Sequence, residues 1–109
     1  MKSKILIFSA TYNESENITT FLRSLDELNL NVDVLIIDDN SPDKTWEIIQ
    51  NYSKDKKNIH LIIREKKEGL DTAHKIAYEY AVENDYEFLI TLDADLTHDP
   101  KKYQNLSPN

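Results

Sequence analysis

The sequence predicts an α/β fold, a single parallel sheet with helices on both faces. Three observations carry this. Short apolar runs alternate with helical-period segments along the whole chain. The first runs are apolar at successive positions, as in strands covered on both faces, rather than alternating. Polar and acidic residues come after the first, second and fourth runs. Strand–helix alternation gives parallel strands joined by right-handed crossovers, so the carboxyl ends of all strands share one edge.

Ile5-Leu6-Ile7-Phe8 is the first strand, and the loop Ala10-Thr11-Tyr12-Asn13-Glu14 leaves it. A helix is expected from about Ser15 to Leu28, because Ile18, Phe21, Leu22, Leu25 and Leu28 fall on one helical face. Val34-Leu35-Ile36-Ile37 is the second strand, followed by Asp38-Asp39-Asn40. Ser41 and Pro42 read as the cap and first residue of a helix that turns Trp46, Ile49 and Tyr52 inward. Ile59 to Ile63 is the third strand, and Arg64 to Leu70 a charged loop. Asp71 or Thr72 is expected to cap a third helix with Ala73, Ile76, Ala77, Tyr80 and Ala81 on one face. Tyr86 to Leu92 is the fourth strand, and Asp99-Pro100 starts a last short helix. The expected strand order is 3-2-1-4, because ligands of such sheets bind near a switch in strand order.

Composition narrows the function. The chain has 109 residues, enough for one small domain, and no repeat or linker divides it. A formal charge of −7 argues against nucleic acid as partner, since no basic patch offers counterion release. The absence of cysteine excludes disulfides and thiolate metal sites. Gly69 is the sole glycine, which excludes a P-loop and the G-x-G-x-x-G dinucleotide fingerprint. No apolar run approaches the about 20 residues of a membrane span, and Met1-Lys2-Ser3-Lys4 leads directly into a strand rather than a signal peptide. A cytoplasmic location is expected, with any membrane association made through a partner or a further segment.

Chemistry concentrates at the strand ends. Asp93 and Asp95 emerge one residue apart after the fourth strand. Carboxylates so close repel unless a cation or a shared proton offsets them, and oxygen ligands suit Mg²⁺ or Mn²⁺. An acidic turn capping the next helix is the equal alternative for this dipeptide alone. Convergence with Tyr12, Asn13 and Glu14, with Asp38 and Asp39, and with the segment from Arg64 to Lys67 favours a site.

These motifs resemble a known family. Ala10-Thr11-Tyr12-Asn13-Glu14, Ile37-Asp38-Asp39-Asn40-Ser41-Pro42-Asp43, Arg64-Glu65-Lys66-Lys67-x-Gly69-Leu70 and Asp93-Ala94-Asp95-Leu96 look like the N-terminal half of a family 2 glycosyltransferase with the three-layer, Rossmann-like GT-A fold. The closest branch is that of the dolichyl-phosphate or polyprenyl-phosphate mannosyltransferases. The resemblance implies a nucleotide-diphosphate sugar, GDP- or UDP-linked, bound with Mg²⁺ or Mn²⁺ and transferred to a lipid phosphate or another glycan or lipid acceptor. It implies that Tyr12 stacks near the base, that Glu14 meets base or ribose, and that Asp39, Asp38 and the Ile37 backbone hold base and ribose. Thr11, Gly69 and Ala94 belong to the same nucleotide-sugar motifs. Asp93 and Asp95 are the metal pair, one of them turned mainly to the ribose or sugar. Three positions depart from the pattern: Ala10 for proline, Asp71 for glycine, and Thr97 for a glutamine that helps hold the metal in some relatives. The chain stops soon after the metal motif, so it reads as a donor-nucleotide half of one domain, 1–109, with slow or no transfer by itself. No catalytic base is assigned.

Other readings compete. Leu92-Asp93-Ala94-Asp95-Leu96-Thr97 fits the nucleophile motif of haloacid-dehalogenase phosphatases, whose chemistry needs a downstream lysine and further aspartates that the few residues after the motif are not expected to supply. A phospho-receiver would carry its acidic pair after the first strand, not the second. A non-catalytic nucleotide-sugar-binding module, or a truncated relic, is the strongest rival. His60 reads as a strand-face residue, His74 as solvated or capping, and His98 as a loop residue before a helix. Lys66 and Lys67 read as solvated charge, and Trp46, Tyr52, Tyr78 and Tyr80 as core or groove packing. Phe88, Leu89, Ile90 and Leu92 on an uncovered edge strand imply self-association as a two-fold dimer.

Overall fold

A computed structural model describes residues 4–28, 31–65 and 69–94. The expectations for Lys66, Lys67, Asp95, Leu96, Thr97, His98, Asp99 and Pro100 lie outside the described residues. Four strands, β1 (Ile5–Thr11), β2 (Val32–Asp38), β3 (Ile59–Ile63) and β4 (Phe88–Thr91), form one sheet in the order β3-β2-β1-β4. All three pairings are parallel, with Thr11 beside Asp38 and Asp38 beside Ile63 at the carboxyl edge. The helices are α1 (Ile18–Glu27), α2 (Thr45–Ser53) and α3 (Leu70–Glu83). No described helix is long and apolar enough to cross a membrane.

Strand alternation splits the core into two layers. Ile7, Val34 and Ile36 face α1 and α2 and pack with Ile18, Leu22 and Ile49. Leu6, Phe8, Leu35 and Ile37 face α3 and meet Ala73, Ala77 and Ala81. The alanine stripe lets α3 lie close to the sheet. Both faces of β1 and β2 are therefore covered, which is why their sequences run apolar without alternation.

The element boundaries differ from expectation where side chains compete for the backbone. β1 continues to Thr11 because β2 pairs with it to Asp38. α1 begins at Ile18, not Ser15, because Asn17 and Ile18 first close a turn onto the Glu14 carbonyl. α2 begins at Thr45: Ser41 to Lys44 form a turn closed by the Lys44 N–H on the Ser41 carbonyl at 2.9 Å. The Ser41 hydroxyl is engaged elsewhere, and Asp43 accepts the Thr45 N–H at 3.0 Å instead. Gly69 stands at the N-cap of α3, with φ +99°, a conformation that favours glycine. Neither Asp71 nor Thr72 makes a side-chain cap; the Thr72 hydroxyl donates to the Gly69 carbonyl at 3.0 Å. β4 is shorter than expected, because the Tyr86 N–H returns to Ala81 in the turn after α3 and its hydroxyl donates to Asp33.

β4 is the thinnest part of the fold. Phe88 and Ile90 share the face of Ile5 and Ile7, but α1 and α2 lie over the other strands. Phe88 is 59% exposed and Ile90 43%, while Leu89 is partly buried against the α3 layer. The apolar residues behind the expectation of self-association are thus mostly exposed among the described residues.

The two-layer core gives a direct expectation. Leu35 is fully buried between β2 and α3. Leu35→Ala should cost about 2–5 kcal/mol of unfolding free energy, through lost transfer energy and the cavity left behind. Urea denaturation checks this; a loss below about 0.5 kcal/mol would mean the α3 layer is not packed on the sheet.

Candidate functional site

The site is built from the residues at the carboxyl end of each strand. At the end of β2, Asp38 and Asp39 are both buried, and the chain must compensate each one. The Asp38 carboxylate accepts the Thr11 hydroxyl at 2.6 Å, the Ser41 hydroxyl at 2.7 Å and the Ser41 N–H at 2.9 Å. It is taken up in fastening the loops after β1 and β2 and is fully buried. These hydrogen bonds are all internal, and Asp38 is not among the residues lining the cleft described below.

Asp39 points the other way and meets Arg64, the first residue after β3. The guanidinium donates Nε to Oδ1 at 2.5 Å and Nη2 to Oδ2 at 2.9 Å, a two-pronged match of fork to carboxylate. Arg64 also donates Nη1 to the Thr72 hydroxyl at 2.6 Å and Nη2 to the Gly69 carbonyl at 3.0 Å. The Arg64 N–H donates to the Asp38 carbonyl at 2.8 Å, and the Asp39 N–H to the Thr11 carbonyl at 3.2 Å. One cation therefore ties together the ends of β2 and β3 and the start of α3.

A cleft of about 220 Å³ opens above this pair, lined by Ala10, Thr11, Tyr12, Glu14, Asp39, Arg64, Gly69 and Leu70. Five residues expected at a nucleotide sugar, Thr11, Tyr12, Glu14, Asp39 and Gly69, thus come together. Ile37 lies in the α3-side core and does not line the cleft. Asp93 is exposed in the segment after β4, and Ala94 is buried against the α1 layer. Neither belongs to the cleft lining, which draws on the ends of β1, β2 and β3 rather than on the β1–β4 switch. A second cavity, of about 200 Å³, is lined by residues such as Val32 and Ile59 at the opposite end of the strands, and holds none of the expected site residues.

Volume sets a limit on what the cleft holds. Pockets for drug-sized ligands run to about 300–1,000 Å³. At about 220 Å³ this one encloses only part of a ligand of that size. Tyr12 offers an aromatic face, 37% exposed, and the Asp39 carboxylate offers acceptor oxygens. The donor set for a metal is sparse: no group of three or more His, Asp or Glu side chains among the described residues forms a metal site. Asp93 is the described carboxylate of the expected pair. A divalent ion there would take most of its oxygen ligands from a diphosphate and water, which suits Mg²⁺.

The exposed Asp43 carboxylate, beside the cleft loops, is pushed up by slight desolvation but held below the usual range on balance, by hydrogen bonds from Thr45 and Ser15. Arg64 entered the sequence reading only within the converging segment from Arg64 to Lys67, with no role of its own. A usable signal existed: it is one of two arginines in the chain, and it comes directly after a strand adjacent to one that ends in two acids.

Fold and site together define an open parallel α/β domain with a polar cleft at the carboxyl ends of its strands. The profile of glycosyl transferase family 2 matches residues 6–108, and the chain belongs to that family. It is 31% identical over 103 residues to an undecaprenyl-phosphate mannosyltransferase of Micrococcus luteus, covering 94% of this chain and 42% of that protein. It is 34% identical over 100 residues to a dolichol-phosphate mannosyltransferase of Pyrococcus furiosus, covering 90% of this chain and 27% of that protein. The fold is that of a mannosyltransferase from Pyrobaculum calidifontis in complex with GDP-Man and Mn²⁺, with a TM-score of 0.72 and 19% identity over 87% of this chain and 28% of that one. The chain spans less than half the length of these relatives.

The Asp39–Arg64 pair should dominate site stability. Arg64→Met leaves a buried carboxylate without its partner and should cost about 3–5 kcal/mol. Arg64→Lys should recover only part of this, because an ammonium cannot reproduce the fork. Chemical denaturation measures both; an Arg64→Met protein as stable as the parent would mean the pair is solvated in solution.

Proposed function

We propose that this chain binds a nucleotide-diphosphate hexose, with GDP-mannose the favoured donor and UDP-sugars the alternative. It does so as the donor-binding part of a glycosyltransferase that serves a polyprenyl-phosphate or similar lipid acceptor. The carrying observation is the cleft in which Tyr12, Glu14 and Asp39 meet over Arg64. Family membership supports the reaction class. The names of the relatives support mannose and a lipid phosphate, and the GDP-Man and Mn²⁺ complex of the structural neighbour supports the donor and the ion.

In the transfer, the bond from the anomeric carbon to the diphosphate oxygen breaks and a bond to the acceptor oxygen forms. A phosphate acceptor attacks through an oxygen already ionised near neutral pH, whereas a hydroxyl acceptor gives its proton to a base; in either case the nucleoside diphosphate departs with the bonding electrons. This chain's residues act on the leaving half. Tyr12 packs on the base, Asp39 accepts hydrogen bonds from donor N–H or hydroxyl groups, and Arg64 keeps that carboxylate aimed. Asp93, with Asp95 beyond the described residues, would hold Mg²⁺ or Mn²⁺, which when bound supplies a Lewis acid that offsets charge on the departing diphosphate. A chain of net charge −7 has particular need of that cation to accept a diphosphate.

Thermal denaturation tests the reading. GDP or GDP-mannose with Mn²⁺ should raise the midpoint, since a ligand at 100 times its dissociation constant stabilises by about 2.7 kcal/mol. UDP should do less, and Asp93→Asn or excess chelator should reduce the shift. No shift with any nucleotide diphosphate in the presence of Mn²⁺, or an equal shift in chelator, would contradict it.

A further inference from the structure

The segment from Ser41 to Thr45 has a part in the site that its reading as a helix start does not cover. Two of its hydroxyls reach the loop after β1. Ser41 Oγ accepts the Asn13 N–H at 2.9 Å and donates its proton to Asp38 at 2.7 Å. Thr45 Oγ1 accepts the Glu14 N–H at 2.9 Å and donates to Asp43 at 2.5 Å. A hydroxyl has a single proton. Once a carboxylate takes it, the lone pairs are left for the amide. The arrangement occurs twice, on successive residues of the β1–α1 loop. Asp43 extends it by accepting the Ser15 N–H at 3.1 Å. Three consecutive amides of that loop are thus held by side chains of the β2–α2 loop and the first residue of α2.

These amides come directly after Tyr12, and Glu14 is one of the residues held. Asn13 sits at φ +57°, in the left-handed region that asparagine enters more readily than most residues, and its N–H is held there by Ser41. Ser41 and Thr45 are 2% and 0% exposed, and neither lines the cleft. They act on the site only through the loop.

We propose that Ser41 and Thr45 are positioning residues: carboxylate-oriented hydroxyls that fix the Tyr12–Glu14 loop in the shape that presents Tyr12 and Glu14 to the nucleoside, and so set donor affinity without touching the donor. This rests on the cleft being the nucleotide site. Without the clamps the loop samples other shapes, and binding must then select the competent one, which lowers the apparent affinity by its population.

The test is calorimetric titration of GDP with Mn²⁺ into the whole chain, run on the parent and on Thr45→Val, Thr45→Ser and Ser41→Ala. Thr45→Val keeps the shape and removes the acceptor. It should weaken GDP binding by about tenfold, the loss equivalent to one hydrogen bond at the upper end of its usual range. Thr45→Ser keeps the hydroxyl and should bind within about twofold of the parent. A purely structural role would lower the unfolding midpoint of Thr45→Val but leave the affinity of the folded protein unchanged, and that result would overturn the proposal while leaving the nucleotide site intact. Failure of the parent to bind GDP overturns the site reading itself, and the proposal with it. Should Thr45→Val not fold, Ser41→Ala is read by the same criterion through the Asn13 amide.

Discussion

Two adjacent carboxylates buried at one strand end are the constraint on which this fold's active edge depends. A carboxylate out of water must find hydrogen-bond donors or a cation. Asp38 and Asp39 find them in different directions. Asp38 recruits Thr11 and Ser41, which draws the loop after β1 against the loop after β2. Asp39 recruits Arg64, which draws in the end of β3 and, through Gly69 and Thr72, the start of α3. Each compensation crosses between elements far apart in sequence. Satisfying one dipeptide therefore assembles three loops, and the cleft is the space left between them.

The fold was legible because its determinants are local. Unbroken apolar runs in β1 and β2 reported two covered faces, and Ala73, Ile76, Ala77, Tyr80 and Ala81 on one face reported the third helix. The strand order came from the position of polar residues at strand ends. Helix starts were less legible. Ser41-Pro42 has the composition of a cap, but its hydroxyl does more for Asp38 and Asn13 than it would for a helix N-terminus. Asp71 and Thr72 likewise have cap chemistry, yet Gly69 takes the position, and the Thr72 hydroxyl joins the Arg64 network. Such choices depend on partners elsewhere in the chain, some of them about 25 or 30 residues away, which periodicity does not register.

The candidate site was legible in part. Tyr12, Glu14 and Asp39 meet at one cleft because each stands just beyond a strand end. The resemblance implied that Asp38 and the Ile37 backbone hold base and ribose; Asp38 is fully buried among protein partners and the Ile37 side chain lies in the core. The resemblance treats the motif Asp38-Asp39 as a unit, and the structure divides it: one carboxylate builds the frame and the other faces the cleft. The part played by Arg64 is hidden in the sequence because a charged loop is ordinarily solvated, and its burial depends on Asp39.

In the proposed function the nucleoside occupies the cleft over the Asp39–Arg64 pair and the metal lies toward Asp93. Amide NMR of the labelled chain tests both at once. Titration with GDP and Mg²⁺ should shift the amides of Asn13, Asp39, Arg64 and Gly69. Replacing Mg²⁺ with Mn²⁺ should broaden Asp93 and Ala94 before Val32 and Ile59 at the far end of the strands. Shifts gathered around Val32 and Ile59, or broadening remote from Asp93, would contradict the account.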